Sequence, residues 1–166
     1  PTRSDEELSL PALVVADVAM QPDRRRMLPG AHLEPVGEGY ASFVAALPAD
    51  QRLDLVPTPG FARSDADHRL REAVLDDLRS RPWLPAADGS ADLLPSRAVA
   101  FPGLTDELAE VLADIVPGLI SPALCTPRCA PALAAADVQL IGPARLAELL
   151  SGHHREPHWW NSLYEA

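Results

Sequence analysis

The stretch SDADHRLREAVLDDLRSRPWLPAADGSADLLPSRAVAF, residues 64–101, decides the fold class. Its first half reads as a helix: Ser64 is a good N-cap, and Leu70, Val74 and Leu78 recur every fourth residue, which lines one face of a 3.6-residue repeat. Pro82 stops that repeat. Beyond it Trp83-Leu84-Pro85 reads as a strand, Asp88-Gly89 as a tight turn, and Ala98-Val99-Ala100-Phe101 as a short partner strand. A helix running directly into short strands predicts a mixed α/β (α+β) architecture, with amphipathic helices alternating with short strands that form a small mixed sheet.

Toward the amino end, PALVVADVAM (residues 11–20) is a valine-rich apolar run closed by Pro22 and an arginine triplet, and it reads as a buried strand leading into a loop. Tyr40, Phe43, Val44 and Leu47 share one face of a helix expected over residues 36–47, and Leu53, Leu55 and Val56 suggest a further strand before Pro57. Toward the carboxyl end, Thr105 caps a helix striped by Leu108, Val111, Leu112 and Ile115. Residues 121–131 hold three prolines and both cysteines and read as an irregular connection. Residues 138–141 suggest a short strand, Pro143 starts a helix that ends before Gly152, and a last helix begins near Pro157. The expected organisation is a single module over 1–166 with a sub-boundary near residue 82. Opening on Pro1 and stopping at Ala166 inside a helix, it reads as a piece excised from a longer polypeptide.

Composition narrows the function. The 166 residues carry 24 acidic and 14 basic side chains, a net charge of −10 that repels phosphate backbones and anionic lipid, so neither nucleic acid nor a membrane surface is an expected partner. No apolar run approaches the roughly 18 residues needed to cross a bilayer, and the amino end lacks a signal-peptide pattern, so the expected compartment is the cytoplasm. Two cysteines are too few for a disulfide framework.

Three constellations could carry chemistry. Arg24-Arg25-Arg26 concentrates positive charge in an acidic chain, and each planar guanidinium can grip a phosphate or carboxylate through two parallel hydrogen bonds. The bland alternative is an exposed loop pairing with nearby carboxylates. His153, His154 and His158 with Glu156, Cys125 and Cys129 have the ligand types of a zinc site, but Pro157 disfavours one continuous helical face for His154 and His158, so no metal is expected. Trp159, Trp160, Leu163 and Tyr164 form an aromatic face suited to core packing or to docking a partner.

The order of segments resembles a known family. EELSLPALVVADVAMQPDRRRMLPG (6–30), LDLVPTPGF (53–61), RPWLPAADGS (81–90), FPGLTDELAEVLADIVPGLISP (101–122) and REPHWWNSLYEA (155–166) are similar to the region that follows the ATP-binding domain in bacterial sacsin-like proteins. That domain is of the GHKL type, shared with the ninety-kilodalton heat-shock chaperones, gyrases and histidine kinases. Its Glu and Asn pair and its Asp-x-Gly-x-Gly loop are not found in this sequence. The resemblance implies a non-catalytic middle module of a chaperone-related ATPase, with its own upstream ATP-binding domain as partner and client protein as a second one. It implies no cofactor in this segment, and ATP with Mg in the longer protein. It further implies that Arg24, or Arg25 one residue on, is the arginine a middle-domain loop sends to the ATP γ-phosphate, although the acidic residue usual after it is here Arg25. Two other classes remain open: a protein-interaction or scaffolding module docking through Trp159, Trp160 and Tyr164, and a small zinc-dependent hydrolase.

Overall fold

A computed structural model describes residues 3–166. Pro1, on which part of the excised-module expectation rests, lies outside the described residues. The protein is a mixed α/β fold in which helices predominate around one buried apolar cluster, with a two-stranded parallel sheet. The helices are α1 (Glu34–Gly37), α2 (Tyr40–Ala45), α3 (Ala49–Arg52), α4 (Asp65–Ser80), α5 (Asp106–Leu112), α6 (Ala130–Ala135), α7 (Pro143–Leu150) and α8 (Pro157–Glu165); the strands are β1 (Val99–Ala100) and β2 (Gln139–Leu140).

Helix α4 is the axis of the molecule, and it forms as its sequence predicts. The Ser64 hydroxyl accepts the Asp67 N–H at 3.1 Å, and Leu70, Val74 and Leu78 lie buried along one face. Helix α1 packs against it so closely that a Cβ on Gly37 would lie 2.6 Å from the Ala73 carbonyl carbon. Past Pro82 the Trp83 ring is fully buried, and its indole N–H donates to the Leu78 carbonyl at 2.8 Å. The buried cluster thus takes residues from both sides of position 82.

Several local expectations are corrected. Residues 11–20 are not a buried strand: Leu13 and Val15 are 92% and 72% exposed, and among the described residues the run pairs only through the bridge from Met20 to Met27. The helix expected over 36–47 is two short ones, because Gly39 turns the chain at φ +83; Phe43 is half exposed while Ala41 and Val44 are buried. Residues 53–56 are not a strand either. Pro48 is the N-cap of α3, the chain continues as a 3-10 turn over Leu53–Leu55, and Leu53 and Val56 reach the core at helical spacing. Leu84 bridges Leu93 across the Asp88-Gly89 turn, whereas β1, expected to pair with that segment, runs parallel to β2 in the register Val99–Gln139 and Ala100–Leu140. Residues 121–129 are irregular as expected, apart from a 3-10 turn over Pro122–Leu124, but α6 begins at Ala130 and was not anticipated. Pro131 sits in its first turn, where a missing N–H breaks no helical bond.

Two charged side chains tie distant segments together. Arg52, 12% exposed, donates to the carbonyls of Ala45 (2.7 Å), Leu47 (3.0 Å) and Trp83 (2.6 Å) and pairs with Asp92 at 2.8 Å. Asp67 is wholly buried; its carboxylate accepts from the N–H of Ser9 and of Arg63, each at 2.8 Å, and from the Ser9 hydroxyl at 2.8 Å. Burial opposes its charge, but the Ser9 and Arg63 donors and the Arg71 guanidinium outweigh that and hold its pKa below the usual carboxylate value. Its stabilising contribution is therefore present above the unfolded carboxyl pKa and lost as pH falls through the lowered folded value. Asp67→Asn should cost about 2 kcal/mol at pH 7, since hydrogen bonds to a charged group are each worth about 1.5–3. The variant's urea midpoint should also fall less steeply than the parent's between about pH 5 and pH 2. Parallel acid limbs for the two proteins would disprove the assignment.

Candidate functional site

The arginine triplet sits at the tip of a short hairpin. Met20 and Met27 bridge antiparallel, the Gln21 N–H donates to the Arg26 carbonyl at 2.8 Å, and the Leu28 N–H to that of Ala19 at 2.9 Å. The tip follows from its residue types. Pro22 fixes its φ for the turn closed by the Arg24 N–H donating to the Gln21 carbonyl at 2.8 Å, and the Asp23 carboxylate accepts the Arg25 N–H at 3.0 Å. Arg24 then takes a left-handed φ of 56°, a conformation that favours glycine or asparagine.

The hairpin is anchored on one side. The Asp5 N–H donates to the Arg25 carbonyl at 2.7 Å, and Glu6 accepts the Met27 N–H at 2.8 Å. All three arginines are exposed. Arg25 approaches Asp5 at 3.9 Å with both side chains mostly in water, a pair of little energetic weight. Among the described residues, the guanidinium groups of Arg24 and Arg26 have no hydrogen-bonded or ionic partner. Arg26 also lines a cleft of about 230 Å³ beside the start of α4, together with Met27, Ser64 and Arg69; Glu6 and Asp65 make its charge mixed, and Arg69 is engaged by Glu34 at 3.1 Å.

The other expected constellations come apart. On α8, Trp159 and Leu163 pack toward the core, where α8 meets α5, while Tyr164 is 84% exposed. Trp160 is half-buried and meets Trp159 edge to face, with ring centres 4.9 Å apart; the Arg155 guanidinium lies 5.7 Å from the Trp159 ring centre. The aromatic face is thus divided between packing and solvent. The three histidines are exposed, and among the described residues no three His, Cys, Asp or Glu side chains are grouped to hold a metal ion. Burial pushes the Cys125 thiol up to about 11, so it is neutral and unreactive near pH 7.

Sequence reasoning missed a second cleft, of about 220 Å³, lined by Ser9, Asp54, Thr58, Arg128 and Cys129. Its charges are matched internally, Arg128 pairing with Asp54 at 3.3 Å, and the Thr126 hydroxyl donates to the Cys129 sulfur at 3.1 Å. These residues are spread over three separate stretches of chain, and no local spacing announced them. No described helix is long and apolar enough to cross a membrane. Comparison of the chain with family models, with curated proteins and with solved structures finds no match in any of the three.

Proposed function

We propose that this chain is a non-catalytic middle module of a sacsin-like, chaperone-related ATPase, working in the cytoplasm through contact with an upstream ATP-binding domain and with client protein. The observation that supports it is the anchored hairpin, which offers the guanidinium groups of Arg24, Arg25 and Arg26 to solvent from a fixed support. A guanidinium arriving from a second domain offsets charge developing on a transferring phosphoryl group, and so links hydrolysis to domain closure. ATP and Mg belong to the nucleotide domain in this reading, and the module itself holds no cofactor.

The test is turnover in the longer protein. Arg24→Ala or Arg25→Ala should lower the ATPase rate about 10- to 100-fold with nucleotide affinity nearly unchanged, because a group engaged in the closed geometry acts on rate more than on ground-state binding. Full activity in the triple Arg24→Ala, Arg25→Ala, Arg26→Ala variant would refute the proposal. The second reading, an interaction module without nucleotide, draws on the solvent-facing part of α8 around Trp160 and Tyr164. It predicts that Tyr164→Ala and not the arginine variants weakens partner binding.

A further inference from the structure

Between Leu10 and the hairpin the chain crosses the surface in an unusual state. Among the described residues, no main-chain N–H or C=O of residues 11–18 pairs with anything in the protein. The side chains alternate as on a strand except at Ala16: Ala12, Val14 and Val18 are partly covered, with Val14 and Val18 packed on the core, Leu13, Val15 and Asp17 face solvent, and the small Ala16, in phase with the covered set, is exposed. Both ends are pinned. Ser9 is held by Asp67, Leu10 is buried, and the Met20–Met27 bridge fixes the far end.

Such an edge normally carries protection in the form of lysines, prolines or a covering loop. Here the only protection is Pro11 at the start and Asp17 near the end, with two large apolar side chains exposed between them. What the unpaired groups can accept is another strand. We infer that residues 11–17 are the pairing edge for a second copy of this chain, joined antiparallel about a twofold axis at Val14.

The register argues for the identical partner. Centred on Val14, the ladder sets Leu13 opposite Val15 of the second copy and Val15 opposite its Leu13, so the two exposed apolar side chains of each protomer flank those of the other. Asp17 falls opposite Pro11, so no like charges face each other, and the missing proline N–H marks the end of the ladder. Ala12, partly covered, falls opposite Ala16, which is exposed, so only small side chains meet there between the two protomers. Pre-pinned ends lower the ordering cost of pairing.

Sedimentation from about 1 to about 500 μM covers the range of a weak dimer resting on a short ladder. We expect reversible dimerisation, accompanied by concentration-dependent slowing of amide exchange confined to residues 12–16. Val15→Lys alters only a solvent-facing side chain and should leave the melting temperature unchanged while weakening association at least ~10-fold, because two ammonium groups then enter one apolar patch. A chain that stays monomeric throughout, a dimer that survives Val15→Lys, or a dimer whose exchange protection lies elsewhere would each overturn the inference. Monomeric behaviour together with strand capture from a different protein would assign the edge to that partner instead.

Discussion

Trp83→Ala should be among the most destabilising single substitutions in this protein, at about 3–5 kcal/mol, the range for removing a large aromatic side chain from a packed core. The ring is fully buried within the same apolar cluster as Leu70, Leu78 and Leu84, so its removal leaves a void that rigid neighbours refill only in part. It also withdraws the donor from the Leu78 carbonyl at the end of α4. With a total folding stability of about 5–15 kcal/mol typical of a domain, the variant would lose a large share of its margin. Urea unfolding should show the midpoint falling with the slope little changed. Trp83→Phe, which keeps most of the apolar area and loses the N–H, should recover more than half of the loss. A change below about 1 kcal/mol in the alanine variant would mean that the ring is not part of the core.

Gly118→Ala should cost about 3 kcal/mol although it adds one methyl group, because left-handed backbone accounts for about 1–2 kcal/mol and a broken hydrogen bond for much of the rest. The residue has φ +79, and a Cβ there would stand 2.1 Å from the Arg97 carbonyl oxygen. That oxygen is main chain and cannot swing away. Its displacement would part the Val99 N–H from the Gly118 carbonyl, now 2.7 Å apart, and disturb the bridge from Val99 to Leu119 beside the small sheet. Gly89→Ala supplies the control: φ is +69, but nothing lies within 4 Å of the added carbon. Thermal denaturation of the pair separates the cost of the backbone conformation, common to both, from the collision unique to Gly118. Equal losses in the two variants would show that the collision relaxes without cost.

Elements that declare themselves through their own residues were legible in the sequence. Helix α4 has its cap, its four-residue stripe and its stop within one segment; α5, α7 and α8 carry caps or first-turn prolines that act equally locally. Failures came where a distant partner decides. Residues 98–101 read correctly as strand-forming, but the ladder they join is supplied some forty residues later by Gln139 and Leu140, and local spacing favoured the nearer segment. Residues 11–20 have strand composition and strand alternation, yet no neighbouring strand, so the pattern predicted a conformation without a sheet to complete it. Helix α6 was hidden by Pro127 and Pro131, since proline reads as a breaker unless its place in the first turn is known. Of the candidate site, the charge of the arginine triplet was visible. Its mounting on a hairpin was not, because the support comes from Asp5 and Glu6, about twenty residues earlier.

The left-handed backbone at Arg24 sets stability against whatever use the side chain has. Glycine at that position would adopt the same φ of 56° without steric cost, and asparagine nearly so, whereas an arginine holds it at an expense of about 1 kcal/mol. A sequence selected only to keep the hairpin folded would therefore not place arginine there. Substitutions that relieve the turn remove a guanidinium from its apex, so a search for more thermostable variants would drift toward proteins that have lost that charge. Thermostability and the function of this loop would then have to be selected together.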